Sequence, residues 1–238
     1  MISLRNKGCH RHNRGFGDYD KPMTLPRPPQ EEIVIFSRYP RAGRVKTRLI
    51  PHLGSKGAAA LHAYLTEQTL ARAREAAGLR PALLALWYTG ASRQQMRDWL
   101  GSALPLVRQR GKDLGERMAS AFRASWAKGV QRAVLIGSDC PALSPVLIIQ
   151  ALAELTQHDL VLGPASDGGY YLIGLRRNSA PEVQDSLFQG IGWGTGTVYQ
   201  QTMARAAAAK MATFTMQELH DIDRPEDLQH LRHYPDPQ

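Results

Sequence analysis

The feature that most constrains the fold is a set of short apolar runs separated by segments with helical periodicity. Ile33–Phe36 and Ala133–Ile136 are apolar at every position, which is typical of strands buried on both faces of a sheet. Between these runs, Leu61, Tyr64 and Leu65 recur at the i, i+3, i+4 spacing of an amphipathic helix. The alternation predicts βαβ units and an α/β fold, a three-layer αβα sandwich around a mostly parallel sheet.

The same criteria place the remaining elements along the chain. Further strands are predicted over Ala82–Tyr88, Leu106–Val107, Leu160–Leu162, Tyr170–Leu175 and Met211–Thr215. Helices are predicted over Ser55–Ala77, Ser92–Leu100, Gly115–Lys128, Ser144–Leu155, Thr195–Ala209 and Pro225–His233. Gly78 and Pro81 are expected to stop the first helix, and Ser144 to cap the fourth.

Length and composition favour one globular domain behind a tail. The chain has 238 residues, and residues 1–30 contain basic residues and prolines without apolar periodicity, so we expect a disordered tail there and a domain over residues 31–238. No apolar stretch reaches the roughly 20 residues of a membrane span, and no signal peptide is recognisable. With only two cysteines, a reducing cytoplasm is the expected location.

The chain carries a formal net charge of +9. A moderately basic protein suits anionic small molecules such as nucleotides and phosphates. No helix-turn-helix, RRM or zinc-finger pattern is present, and aromatic residues do not alternate with a basic stripe, so a nucleic-acid partner is not expected.

Five basic residues follow the first strand within Ser37–Leu49: Arg38, Arg41, Arg44, Lys46 and Arg48. Ligands of open parallel sheets bind beyond the carboxyl ends of the strands. Loop amides and fixed cations at this place are suited to phosphates. The loop lacks both the P-loop and the GxGxxG spacing. We therefore favour a phosphate-binding loop over a merely solvated basic one.

Asp139 follows the run Ala133–Ile136 at the end of a predicted buried strand. A carboxylate at such a place needs solvent, a partner or a cation. Mg²⁺ and Mn²⁺ prefer carboxylate oxygens and often use one or two of them together with substrate phosphates. Asp139 is therefore a candidate metal ligand, and the alternative is an aspartate that caps the following turn.

Two further acidic segments could contribute to the same site. Asp167 opens a glycine-rich turn with Gly168 and Gly169, which lets the backbone approach a ligand closely or forms an ordinary hairpin turn. Asp221 and Asp223 lie near the end of the chain, and Asp223 is also placed to cap the helix that follows. One of Asp221 and Asp223 could complete a metal site with Asp139.

Two other residues are weaker candidates. Arg117, near the start of a predicted helix, could reach a phosphate or a base, or it could be a surface arginine. Trp193 lies in a glycine-rich turn and could form a wall of an acceptor pocket, or it could simply pack.

Six segments together resemble the radical-SAM/selenodomain-associated transferase family, whose bacterial members are assigned as glycosyltransferases. In order, they are VIFSRYPRAGRVKTRL, DLGERMASAF, LIGSDCPAL, SDGGYYLIGLR, GWGTGTV and DIDRPEDL. The resemblance covers residues 32–232 and implies a GT-A-like fold of the nucleotide-diphospho-sugar transferase superfamily. The KTRL and DIDRPEDL segments are also similar to those of nucleotidylyltransferases.

The resemblance implies a role for several of these residues. Gly43, Lys46 and Arg48 would face the nucleotide phosphates, Asp139 would stand where the superfamily places its metal-binding acid, and Asp221 or Asp223 would occupy the second acidic position. Many GT-A glycosyltransferases carry an Asp-x-Asp at the metal strand. Here Ser138-Asp139-Cys140 supplies one aspartate, which keeps a nucleotidylyltransferase in consideration.

The leading hypothesis is a transferase that depends on Mg²⁺ or Mn²⁺ and takes a nucleoside-diphosphate sugar as donor. Lys46 would neutralise charge on the leaving phosphate, and Asp167 would contact the acceptor, an unidentified small molecule, or act as a base. The first alternative is a nucleotidylyltransferase that uses a nucleoside triphosphate and a phosphorylated acceptor and releases pyrophosphate. The second is a non-catalytic nucleotide-binding module.

Overall fold

The structure is a computed structural model that describes residues 30–177 and 181–233. The strands, in chain order, are β1 (Glu31–Arg38), β2 (Leu83–Thr89), β3 (Leu106–Arg108), β4 (Arg132–Ile136), β5 (Leu160–Pro164), β6 (Tyr170–Arg176) and β7 (Thr213–Thr215). The α-helices are α1 (Ile50–Leu79), α2 (Arg93–Leu100), α3 (Leu114–Ala127), α4 (Pro145–Glu154), α5 (Pro181–Ser186) and α6 (Val198–Ala208). Two 3₁₀ helices cover Thr47–Leu49 and Pro225–His233. Apart from Gln30, the predicted tail over residues 1–30 lies outside the described residues, and that domain boundary stays a prediction.

The seven strands form one sheet in the order β3-β2-β1-β4-β6-β5-β7. β1 pairs in parallel with both β2 and β4, and β5 pairs in parallel with β7. β6 is antiparallel to both of its neighbours, β4 and β5. The α/β class with a mostly parallel sheet is therefore confirmed.

Helices cover both faces of the sheet, as the fully apolar runs predict. Along β1, Ile33 and Ile35 pack in the same core cluster as α1, α2 and α4. Val34 and Phe36 point to the other face and pack in a cluster with α3 and α6. Because successive side chains of a strand alternate between faces, a strand between two helical layers must be apolar throughout.

Helix α1 is longer than predicted, and the side chains that it buries differ in part from the predicted apolar stripe. It runs through Gly78 to Leu79, and Arg80 adopts an extended conformation because the residue before Pro81 is restricted to that region. The buried side chains include His62 and Thr66, whereas Leu61 and Tyr64 are only partly buried. The prediction that Gly78 stops the helix was wrong.

The predicted serine cap of α4 is confirmed. The Ser144 side chain accepts a hydrogen bond from the backbone N–H of Leu147, and Pro145 opens the helix. The same physics starts α2, where Ser92 and Gln95 form a reciprocal capping box. In the described part of the chain, no helix combines the length and apolar character needed to cross a bilayer.

The topology brings the loops after β1, β4 and β5 to one edge of the sheet. β1 lies between β2, the next strand along the chain, and β4. The loops after β1 and β4 therefore lie side by side and lead into α1 and α4 on the same face of the sheet. Residues of both loops line a crevice at this edge. The segment after β7 returns to this edge, where the backbone N–H of Ile222 donates to the Asp139 carbonyl at 2.9 Å.

Candidate active site

The loop after β1 delivers Lys46 to the crevice in an unusual backbone conformation. Lys46 has φ of 46° and ψ of 43°, in the left-handed region that non-glycine residues rarely occupy. Its side chain is only 3% exposed. Holding a lysine in this conformation costs free energy, and such strain is found most often at functional sites.

Lys46 joins three separate parts of the chain. Its Nζ lies 2.8 Å from Oδ1 of Asp139, at the end of β4. The same ammonium donates to the backbone carbonyl of Ile222 in the C-terminal segment. The Asp139 side chain remains 46% exposed, so this carboxylate can also face a ligand in the crevice.

Three acidic residues from three segments line one cavity of about 270 Å³: Asp139, Asp167 and Asp221. Burial, followed by the nearby Asp167 carboxylate, raises the pKa of Asp221 to about 6. The Ser166 hydroxyl donates to Asp221 at 3.4 Å. The structure thus brings into one cavity three of the acids that the sequence analysis placed as candidates for a shared site.

A second cavity, of about 450 Å³, is lined mainly by the basic loop. Arg38, Lys46 and Arg48 contribute to its wall, and so does Asp139. Gly43 has φ of +77° and turns the loop, but it does not line this cavity. The cationic cavity and the acidic cavity therefore share Asp139 as part of their walls.

Asp223 differs from Asp221 in its partner. Its carboxylate forms an ion pair with Arg48, and it lines the basic cavity but not the acidic one. Asp223 and Asp221 together line a third cavity, of about 380 Å³. The expected helix cap is also reversed, because Asp227 accepts hydrogen bonds from the backbone N–H groups of Asp223 and Arg224. The ion pair of Asp223 with Arg48 links the basic loop to the C-terminal segment.

The proposed acceptor residues lie together. Gly169 and Trp193 line the acidic cavity, and the Asp167 carboxylate accepts from the Gly169 backbone N–H at 2.7 Å. Trp193 packs closely on Gly115, where an added Cβ would lie 2.7 Å from the indole ring. Gly168 is not part of the cavity wall but packs against Gly196 beside it.

Arg117 is not brought into these cavities. Its guanidinium donates to the Gly111 carbonyl at 3.2 Å, and it is not among the lining residues of either cavity. Cys140 does line the acidic cavity, but it is buried. Burial raises the pKa of this thiol well above its ordinary value, so Cys140 stays protonated and unreactive.

His62 is a site residue that the sequence analysis missed. It lines the basic cavity from α1 and is 6% exposed. The signal was present, since a histidine and Thr66 occupy the helical register of the buried stripe with Ala58 and Leu65. Burial lowers the pKa of His62, so its ring is neutral near pH 7.

A divalent cation fits this site only if a bound phosphate ligand completes its coordination. Within residues 30–177 and 181–233, no three His, Cys, Asp or Glu side chains are spaced to hold a metal on their own. Asp139 and Asp221 nevertheless line the same cavity. Mg²⁺ and Mn²⁺ are commonly held by one or two carboxylates and by substrate phosphates, and cations for phosphate binding line the adjoining cavity.

Residues 69–195 match a family model described as "Uncharacterized protein conserved in bacteria (DUF2064)". The chain belongs to this family. It is also similar to the crystal structure of a candidate nucleotide-diphospho-sugar transferase from Desulfovibrio desulfuricans G20. The two are 35% identical with a TM-score of 0.77, over 85% of this chain and 86% of that one. A comparison with curated proteins finds no match.

Two more distant solved structures share the fold. A CMP:2-keto-3-deoxy-manno-octonic acid synthetase complexed with CTP is 12% identical, with a TM-score of 0.53 over 86% of this chain and 97% of that one. Rv0371c of Mycobacterium tuberculosis H37Rv, in complex with manganese, is 16% identical, with a TM-score of 0.52 over 87% of this chain and 100% of that one. The fold of this family therefore includes proteins that bind nucleotides and manganese.

Proposed function

We propose that the chain is a metal-dependent transferase that takes a nucleoside-diphosphate sugar as donor. The observation that carries the proposal is the 2.8 Å contact between Lys46 and Asp139. It joins a cationic cavity to an acidic one at the carboxyl edge of a mostly parallel sheet. The similarity to the Desulfovibrio protein supports a transferase of this class.

In this proposal the cationic cavity holds the diphosphate. Arg38, Lys46 and Arg48 neutralise its charge, and the Lys46 ammonium moves from Asp139 onto a phosphate oxygen. Asp139 and Asp221 would hold a divalent metal, and the ion pair of Asp223 with Arg48 keeps the basic loop beside them. A divalent cation, when bound, would supply positive charge to the leaving phosphate. The CTP-bound and manganese-bound structures with this fold are consistent with both ligands.

The acidic cavity would take the sugar and the acceptor. Trp193 and Gly169 form part of its wall, and Gly168 lies in the adjoining turn. The acceptor oxygen forms a bond to the anomeric carbon while the bond from that carbon to the phosphate oxygen breaks. The acceptor proton passes to the Asp167 carboxylate, and the nucleoside diphosphate leaves with the electron pair. The cytoplasmic location stays a prediction, and so does membership of the radical-SAM/selenodomain-associated transferase family.

A nucleotidylyltransferase is the second candidate, and one specific observation favours it. β4 ends in the single acid Asp139, and the other acids of the cavity come from distant segments. The CTP-bound synthetase shares this fold. In this case a nucleoside triphosphate would react with a phosphorylated acceptor, and pyrophosphate would leave.

A thermal-shift panel of nucleoside triphosphates and nucleotide sugars, with and without Mn²⁺, tests the proposal. We expect nucleotide sugars to raise the melting temperature only when Mn²⁺ is present. A positive donor is then incubated with candidate acceptors. Release of nucleoside diphosphate supports glycosyl transfer, whereas pyrophosphate from a triphosphate supports the second candidate. Binding that is equal with and without Mn²⁺, with no turnover, would instead indicate a non-catalytic module.

Asp139→Asn tests the central acid. We expect the variant to lose the Mn²⁺-dependent part of the thermal shift. It should also unfold about 1–3 kcal/mol more easily, because the buried Lys46 ammonium loses its counterion. Asp185→Asn, which removes a carboxylate paired with Arg123, is the matched control and should keep the full Mn²⁺ effect. A variant of Asp139 that retains the Mn²⁺ effect would refute its role as a metal ligand.

A further inference from the structure

His62 contacts the backbone where β1 passes into the basic loop. Its Nε2 lies 2.8 Å from the carbonyl oxygen of Arg38, the last residue of the strand. Because a carbonyl oxygen can only accept, Nε2 must carry the hydrogen. In the neutral ring, Nδ1 is then an acceptor. It is buried and has no hydrogen-bond partner among the described residues.

Two hydroxyl groups lie beside this histidine, between α1 and the end of β1. Thr66, one helical turn after His62, donates to the His62 carbonyl at 2.9 Å. Its oxygen lies 3.0 Å from the hydroxyl oxygen of Ser37, which also lies 3.4 Å from the Arg38 carbonyl oxygen. Helix α1 thus contacts both of the last two residues of β1 through polar side chains.

If packing were the only requirement at position 62, an apolar side chain would be buried there at a lower cost in free energy than histidine. A buried Nδ1 without a partner is unfavourable, so the bond from Nε2 must offset that cost. The atom it holds belongs to Arg38, which also donates from its guanidinium to the Arg44 carbonyl at 3.1 Å. The imidazole therefore contacts the start of the segment that precedes Lys46, and the Arg38 side chain in turn contacts the end of that segment.

We propose that His62 is a positioning residue for phosphate binding, which fixes the basic loop through the bond from Nε2 to the Arg38 carbonyl. The inference rests on the proposed function, since it assumes that the basic cavity takes a diphosphate. Although His62 lines this cavity, the proposed role acts through the Arg38 carbonyl. His62 sets the start of the loop that carries Arg38, Arg44 and Lys46 into the cavity wall.

Three substitutions of His62 separate positioning from packing. Glutamine places its amide nitrogen near the position of Nε2, whereas asparagine reaches only the position of Nδ1, and leucine has no donor. The measurement is calorimetric binding of inorganic pyrophosphate with Mg²⁺ to the full chain. The melting temperature is recorded for each variant. Thr69→Ala, which truncates another buried side chain of α1, is the control for a general loss of packing.

We expect His62→Gln to bind pyrophosphate within about threefold of the parent chain. His62→Leu and His62→Asn should bind about fivefold or more weakly, the effect of one lost hydrogen bond. Thr69→Ala should lower the melting temperature without changing the affinity. Equal affinity for all variants, or equal weakening by glutamine and asparagine, would overturn the inference while leaving the proposed function intact. No pyrophosphate binding by the parent chain would refute both.

Discussion

At the scale of single residues, the site is defined by how carboxylates and cations share buried space. Asp221 is only partly exposed and faces the other acids of its cavity, and burial is the largest cause of its raised pKa, at about 6 against an ordinary 3.8. A carboxyl with a raised pKa is most stable when protonated. Its contribution to stability is complete below pH 3.8 and is lost as the pH rises through about 6.

Asp221→Asn should therefore stabilise the chain above that range when no divalent metal is present. We expect a gain of about 1 kcal/mol near pH 7.5, after allowance for solvent screening of this partly exposed group. Near pH 4 the two proteins should have nearly equal free energies of unfolding. Urea denaturation at both pH values measures the difference. An asparagine variant that is less stable near pH 7.5 would contradict the raised pKa of Asp221.

The sequence predicted which residue types gather at this edge but not how they pair. Lys46, Asp139 and Asp221 were each identified from their place after an apolar run or near the end of the chain. The ion pair of Arg48 with Asp223 joins residues 175 positions apart, and no local pattern records such a pairing. His62 was missed because the predicted apolar stripe of α1 consisted of Leu61, Tyr64 and Leu65. Of these, only Leu65 is among the buried residues of the helix, which include His62.

At the scale of secondary-structure elements, the turn between β5 and β6 determines where Asp167 lies. Gly168 has φ of +84°, and an added Cβ would lie 2.1 Å from the carbonyl oxygen of Gly196. The Gly168 carbonyl accepts from the backbone N–H of Tyr199 at 2.9 Å. Backbone conformation and close packing therefore both require glycine at position 168.

Gly168→Ala and Gly194→Ala form a matched pair that separates these two requirements. Gly194 has φ of +83° and no atom within 4 Å of an added Cβ. Gly194→Ala should cost about 1 kcal/mol from backbone strain alone. Gly168→Ala should cost about 1–3 kcal/mol more, because the turn must also move away from Gly196. Equal costs in urea denaturation would contradict the close approach of the two loops.

Elements whose ends are marked by local chemistry were predicted best. Ser144 and Pro145 placed the start of α4 because a serine cap and a proline in the first turn act within one helical turn. The early part of α1 was not predicted, since Gly54 interrupts it with φ of 68°. That segment packs in a cluster with Ile222 and, at its edge, Leu228. Contacts over such a distance are not visible in the local pattern.

At the scale of the whole molecule, the site depends on a C-terminal segment held from both sides. Ile222 is fully buried with Leu49, Ala58 and Leu65. Its carbonyl accepts from Lys46, and its N–H donates to the Asp139 carbonyl at 2.9 Å. Asp221 and Asp223 flank this anchor, so one apolar side chain positions acids for two cavities.

Ile222→Ala should therefore weaken the fold and the site together, whereas Ile148→Ala should weaken only the fold. Both isoleucines are fully buried, and each truncation should cost about 2–5 kcal/mol of unfolding free energy. Ile148 lies on α4 and packs in the core against the sheet, in a different cluster from Ile222. We expect pyrophosphate in the presence of Mn²⁺ to stabilise Ile148→Ala as much as the parent chain, and Ile222→Ala clearly less. Equal stabilisation of the two variants by this ligand would contradict the role of Ile222 as the anchor of the acids that bind it.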